Sequence, residues 1–230
     1  MKNLIANKYV KLVESVPDKI LANSGAKPDG AAKGKINNII SKGSEIFCEL
    51  GSGSGEHLIE LAGNKPDAFF LGFELRYKRA FRTVEKALKE QLQNIYIMRA
   101  DARLLREYFP KASISGVYMN FPDPWERKRW QKHRMFGKQL LSDLSLVLKP
   151  NGFFAFKSDH KDLYREALEA VKSSRLFIIK ESTEDLYASE FIKQNVKTEF
   201  ERLFLAKQQA ILYFKLCKEA PLSKSLSRTY

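Results

Sequence analysis

Histidine and cysteine are scarce in this chain: His57, His133 and His160 are the only histidines, and Cys48 and Cys217 the only cysteines. No histidine stands at ligand spacing with a cysteine, so nothing in the sequence calls for a metal. Both cysteines fall in apolar, strand-like segments, where small reduced core residues are expected rather than a disulfide. Long apolar runs are also missing. Nothing approaches the ~20 consecutive apolar residues of a membrane span, and the first twenty residues scatter Lys2, Lys8, Lys11, Glu14, Asp18 and Lys19 through what a secretory leader keeps uncharged. A soluble, cytoplasmic protein is the expectation. Acidic residues are in deficit, with 27 Asp and Glu against 40 Lys and Arg and a formal net charge of +13. That excess points to a polyanionic partner. Nucleic acid is favoured over an anionic membrane, because no helical pattern is basic on one face and rich in Trp, Phe and Leu on the other.

At 230 residues and 44% hydrophobic content, the chain is long enough to bury one full core and short for two large domains. From residue 45 onward, short runs rich in β-branched and aromatic residues alternate with helical patterns, the signature of strands joined by crossover helices in a mainly parallel sheet. The strand candidates are "EIFCEL" (45–50), "AFFLGFE" (68–74), "NIYIMRA" (94–100), "SGVYMNF" (115–121) and "FFAFKSD" (153–159). They are near-continuously apolar, as strands covered on both faces are. "LFIIKEST" (176–183) and "ILYFKLCK" (211–218) follow with no clear crossover helix between them, which predicts an antiparallel, hairpin-like ending. The first forty residues, including "SGAKPDGAAKGK", are polar, basic and turn-rich. A flexible arm over 1–40 ahead of a domain over 41–230 is expected.

Chemistry concentrates where strands end. "ELGSGSGEH" puts Gly51, Gly53 and Gly55 between the first strand and first helix of that domain, where the backbone can turn tightly and approach a ligand. The third glycine comes one residue too early for the dinucleotide fingerprint. Glu74 ends the second strand and Asp101 follows the third, so acids gather on the rim where open α/β sheets bind ligands. A carboxylate at Glu74 suits a ribose diol, Asp101 an adenine amino group, and Glu49 a ligand cation. Pressing an acid against a diphosphate is unfavourable. An amino or sulfonium charge is welcome there, which ranks S-adenosylmethionine, and methyl transfer, ahead of NAD and hydride transfer.

"YMNFPDPWERKRWQKHR" (118–134) carries the fourth strand into a loop, with Asp123 held between Pro122 and Pro124 and so pre-organised on the same rim. Guanine N7 bears no proton, so its methylation needs alignment more than a general base. Asp123 can supply it by accepting from guanine N1–H and N2–H, and it also favours the positive charge left on the purine. Arg127, Lys128, Arg129, Lys132 and Arg134 are candidate phosphate contacts, with Trp125 and Trp130 as stacking surfaces or core residues.

In order along the chain, "CELGSGSG", "GFEL", "ADAR", "NFPDPW", "FKSD" and "TEFE" resemble the bacterial tRNA (guanine-N7)-methyltransferases over roughly residues 40 to 218. The resemblance implies the class I methyltransferase (Rossmann-like) fold, a mostly parallel seven-stranded sheet with an antiparallel C-terminal strand and helices on both faces. It implies S-adenosylmethionine as methyl donor and a variable-loop guanosine of tRNA as acceptor; no metal is expected, and the protein is expected as a monomer or homodimer. Glu49, Gly51, Gly53, Glu74, Asp101 and Asp123 then fall at the donor or the catalytic centre, with Asp123 catalytic. Asp159, Thr198, Glu199, Phe200 and Glu201 fall on the guanosine side. Arg127 stands where the family commonly has a substrate-contacting lysine, because Glu126-Arg127-Lys128-Arg129 replaces Pro-Lys-Lys-Arg. A methyltransferase acting on ribosomal RNA or protein, and a non-catalytic RNA-binding protein, are the alternative readings.

Overall fold

A computed structural model of the protein describes residues 7–218. In chain order the elements are α1 (Lys8–Glu14), β1 (Ile20–Gly25), α2 (Gly30–Ile40), β2 (Ile46–Leu50), α3 (Glu56–Asn64), β3 (Phe69–Phe73), α4 (Tyr77–Lys89) and β4 (Ile95–Ala100). They continue with α5 (Leu105–Tyr108), β5 (Ile114–Asn120), α6 (Lys138–Val147), β6 (Leu148–Ser158), α7 (Lys161–Ser174), β7 (Ile178–Thr183), α8 (Glu199–Ala206) and β8 (Leu212–Cys217).

The strands form one eight-stranded sheet in the order β1-β4-β3-β2-β5-β6-β8-β7. β8 runs antiparallel to both β6 and β7, and every other pairing is parallel. Strand order reverses at β2, with β3 and β4 on one side and β5 and β6 on the other. A crevice therefore opens beyond the β2 C-terminus, where the glycine loop lies. All five residues of β2 are buried because helices cover both faces of the sheet. One apolar cluster joins Ile36, Leu105, Leu144 and Val171 to Phe154, Phe156 and Phe214; the other joins Val13, Leu58 and Val84 to Phe70 and Ile95. Phe156 and Phe214 stack at 4.8 Å, fully buried. Each such ring stabilises the fold by about 2–3 kcal/mol.

The N-terminal segment differs from expectation. From residue 7 onward the expected arm folds as α1, β1 and α2, and β1 pairs in parallel with β4 through Ile20–Ile97 and Gly25–Ala100, adding the eighth strand. Its buried stretch, Ile20 to Ala22, is too short to show a period among charged and turn residues. Long-range contacts hold it instead: Lys19 Nζ donates to the Leu92 carbonyl at 2.8 Å, and Asp29 caps α2 through the amides of Ala31 and Ala32. Residues 1–6 of that expected arm lie outside the described residues, as do residues 219–230 of the 41–230 domain. Among the described residues no helix is long and apolar enough to cross a membrane.

Candidate active site

Parallel pairing in register, Leu50 with Phe73 and Phe73 with Met98, brings the C-terminal ends of β2, β3 and β4 to one rim. There a cavity of about 550 Å3 opens. Its wall includes Glu49, Gly51, Gly53, Glu74 and Asp101 on one side, and Asp123, Trp125, Thr198, Glu199 and Phe200 on the other. Nine of the twelve residues that the family resemblance assigns to the donor, the catalytic centre or the substrate thus meet at one cavity; Arg127, Asp159 and Glu201 do not line it.

Glu49 is 3% exposed. Its Oε1 accepts from Asn120 Nδ2 at 2.8 Å and faces His57 Nδ1 at 3.2 Å. Asn120 Nδ2 also lies 3.2 Å from His57 Nδ1, to which it donates in the tautomer that leaves Nδ1 unprotonated. Oε2 has no partner. Among the described residues three buried side-chain polar atoms are unpaired, and two of them, Glu49 Oε2 and Ser52 Oγ, belong to cavity residues. An orphaned buried carboxylate oxygen fits a cationic ligand group that brings its own donors. Sequence reasoning missed His57 and Asn120. Both stand inside quoted motifs, one two residues after Gly55 and the other opening "NFPDPW".

The glycine loop is shaped for close approach. Gly51 and Ser52 both donate to the Phe73 carbonyl at 2.9 Å, bending the chain back over β3. Gly55 has φ +79°, and a Cβ there would lie 2.2 Å from Thr83 Cγ2, so only glycine fits. Glu74 Oε1 accepts from the Arg76 amide at 2.8 Å. Burial pushes the Glu74 pKa above the usual glutamate value, against the lowering pull of that hydrogen bond and of the charges on Arg79 and Arg76. Asp101 Oδ1 caps a 3-10 turn through the Arg103 amide, and the Asp101 amide donates to Gly25 of β1 at 2.7 Å. The expected arm therefore anchors one of the site acids.

The Asp123 loop is held in an unusual backbone path. Phe121 at φ +49° and Trp125 at φ +44° bracket the carboxylate, conformations that non-glycine residues adopt only when surroundings impose them. Two tethers do so. The Phe121 amide donates to the Lys157 carbonyl at 2.9 Å, and Arg134 Nε donates to the Pro124 carbonyl at 2.7 Å while its guanidinium pairs with Glu166 of α7. Arg134, 10% exposed, is thus a tether and not the phosphate contact expected of it. Trp125 and Trp130 are both 37% exposed, which rules out the core role for them. The Arg127 and Arg129 guanidiniums lie 4.7 and 5.0 Å from the Trp130 ring centre, which keeps Arg127 out of the cavity wall.

At the N-terminus of α8, Thr198 and Glu201 form a reciprocal capping box. "TEFE" is itself the sequence signature of that box, in which the third helical residue turns back beneath the cap. Glu201 is accordingly buried away from the cavity, while Glu199 and Phe200 face it. Asp159 follows β6, one strand beyond the Asp123 loop, and is half-buried outside the cavity wall.

A sheet reversing at β2, a glycine loop at that point and acids at successive strand ends define a class I methyltransferase fold. Solved structures agree: the chain matches an antibiotic-related methyltransferase with TM-score 0.59 at 20% identity, covering 86% of this chain and 99% of that one. It matches the 16S rRNA methyltransferase KamB with TM-score 0.61 at 11% identity, over 88% and 99% of the two chains. At such identities the likeness is one of fold. A family model described as a putative methyltransferase matches residues 43–214. The tRNA (guanine-N(7)-)-methyltransferase of Pediococcus pentosaceus is 32% identical over 205 residues, covering 89% of this chain and 94% of that protein. Its counterpart in Limosilactobacillus reuteri is 34% identical over 179 residues, covering 78% and 84%. A bifunctional glycosyltransferase/methyltransferase of Fusobacterium nucleatum is 33% identical over 87% of this chain, which spans only 31% of that longer protein. The chain belongs to the tRNA (guanine-N7)-methyltransferase family.

Proposed function

We infer that this protein transfers a methyl group from S-adenosylmethionine to N7 of a guanosine in tRNA, in the variable loop by resemblance to its family. The observation that carries this reading is the single cavity in which an unpaired Glu49 oxygen, Glu74 and Asp101 face Asp123 and the first turn of α8. When bound, the donor supplies an electrophilic methyl group on a sulfonium sulfur. Glu49 Oε2 receives the ammonium of its amino-acid end, Glu74 the ribose hydroxyls and Asp101 the adenine amine, while the glycine loop lets the backbone close around it.

Asp123 accepts from guanine N1–H and N2–H, which leaves the in-plane N7 lone pair free to form the N7–methyl bond as the methyl–sulfur bond breaks and its electron pair stays on a neutral thioether sulfur. No proton leaves N7, so Asp123 acts by orientation and by its charge, which favours the purine cation. The step needs neither a general base nor a Lewis acid. Thr198, Glu199 and Phe200 form the opposite wall, where Phe200, 41% exposed, offers a ring to a base drawn out of its stack. Arg127, Lys128, Arg129 and Lys132 hold phosphates outside the cavity. Incubation of unmodified tRNA with the protein and labelled donor is expected to yield 7-methylguanosine on nucleoside analysis. Label in another nucleoside, in ribosomal RNA alone or in protein overturns the reading.

A further inference from the structure

The family resemblance puts Glu201 on the guanosine side, yet its carboxylate has no capacity left to serve there. Oε1 accepts from the Tyr187 hydroxyl at 2.8 Å and from Asn195 Nδ2 at 2.6 Å. Oε2 accepts from Lys157 Nζ at 2.8 Å and from the Thr198 amide at 3.2 Å. An ionised carboxylate offers about four lone-pair sites, and all four are taken. The residue is also 0% exposed.

Lys157, its partner, occupies a particular place. Its backbone carbonyl receives the Phe121 amide at 2.9 Å, at the start of the Asp123 loop, and its side chain reaches Glu201 beneath the first turn of α8. One residue of a central strand is therefore bonded to both walls of the acceptor side. Phe121 and Phe204 of α8 touch at 5.2 Å between ring centres, so the two walls also pack on each other. We infer that Glu201 is a positioning residue: paired with Lys157, it fixes Glu199 and Phe200 relative to Asp123 and does not itself touch the base. This inference rests on the acceptor side assigned above.

A buried ion pair is a poor source of stability but a good source of register, because a charge left without its partner in the interior is strongly disfavoured. The pair accordingly admits only the α8 position in which both charges are matched. Burial pushes the Glu201 pKa up, but the Lys157 charge and hydrogen bond, with those from Asn195 and Tyr187, outweigh it and hold the group below the usual range. Glutamine at the third helical position still supports a capping box. This separates the charge pairing from the cap.

The test compares Glu201→Gln, the double variant Lys157→Met with Glu201→Gln, and Tyr187→Phe. Glu201→Gln strands the Lys157 charge and is expected to lower kcat/KM for tRNA by about 10- to 100-fold, the scale of a small misplacement of reacting groups. Donor affinity by calorimetry stays within about twofold of wild type, since the donor side is untouched. Restoring neutrality in the double variant recovers most of the loss. A double variant as poor as Glu201→Gln means that the carboxylate acts on the base directly and overturns the inference. If Glu201→Gln does not fold, Tyr187→Phe decides: reduced kcat/KM for tRNA with wild-type donor affinity supports positioning, and wild-type kinetics overturn it. Hydrogen exchange at the α8 amides, faster in Glu201→Gln and restored in the double variant, reads the same coupling without any substrate. It stays informative even if wild-type protein makes no 7-methylguanosine, which would sink the tRNA reading alone.

Discussion

Asn120 donates its side-chain amide to Glu49 Oε1 at 2.8 Å, joining the end of β5 to the end of β2 across the floor of the cavity. This contact leaves the other carboxylate oxygen without a partner among the described residues. Asn120→Ala removes a donor from a buried charge, a loss of about 1–3 kcal/mol. Donor affinity is expected to fall roughly tenfold or more by calorimetry, with a lowered melting temperature. Unchanged affinity would detach Glu49 from the donor.

Asp123 has no hydrogen-bond partner among the described side chains, although its loop is tethered on both flanks. Asp123→Ala is expected to keep the fold and the donor affinity while lowering the single-turnover methylation rate by about 100-fold or more, the scale of lost orientation. Wild-type turnover in this variant would remove the residue from the reaction.

The proposed contact of Glu74 with the donor predicts a pH dependence with a definite sign. Its folded pKa is raised, chiefly by burial, above the ordinary 4.5. The neutral acid is thus favoured in the ligand-free fold: its contribution to stability is full below the unfolded value and is lost as pH rises through the folded one. In the proposed donor complex the ionised form is the acceptor, so affinity is expected to be strongest above the raised pKa and to weaken as pH falls through it. A calorimetric series is expected to show this decline beginning above pH 4.5, and Glu74→Gln to bind weakly at every pH without the decline. An identical slope in the variant would assign it to another group.

The basic run divides into exposed residues and a committed one. Arg127, Lys128 and Arg129 are exposed, so neutralising all three is expected to reduce the slope of log affinity for tRNA against log salt by about 2–3. Arg134 is committed to Pro124 and Glu166. Arg134→Ala is expected instead to loosen the Asp123 loop and lower kcat with little change in salt slope. The reverse pattern would contradict the division.

Much of the fold could be read from the sequence because parallel strands covered on both faces are near-continuously apolar, as the runs at the centres of β2 to β6 are. The N-terminal strand escaped such reading: three buried residues, Ile20 to Ala22, have no period to show, and their partners on β4 lie more than seventy residues away. At the site, Glu49, Glu74, Asp101 and Asp123 were findable because each stands at a strand's C-terminal end, and parallel strands bring those ends together. "TEFE" carried two messages, a family motif and a capping box, and only the second says where Glu201 points.

Residue type and spacing by themselves determined the strands, the glycine turn and the rim on which the acids gather, because these follow from local periodicity and backbone geometry. Which acid keeps a free oxygen was decided only in three dimensions. Glu49 retains one because Asn120, 71 residues away, takes the other, and Glu201 retains none because Lys157, 44 residues away, and three further donors close around it. A carboxylate's availability depends on how many donors reach it, and those donors come from parts of the chain that meet only on folding.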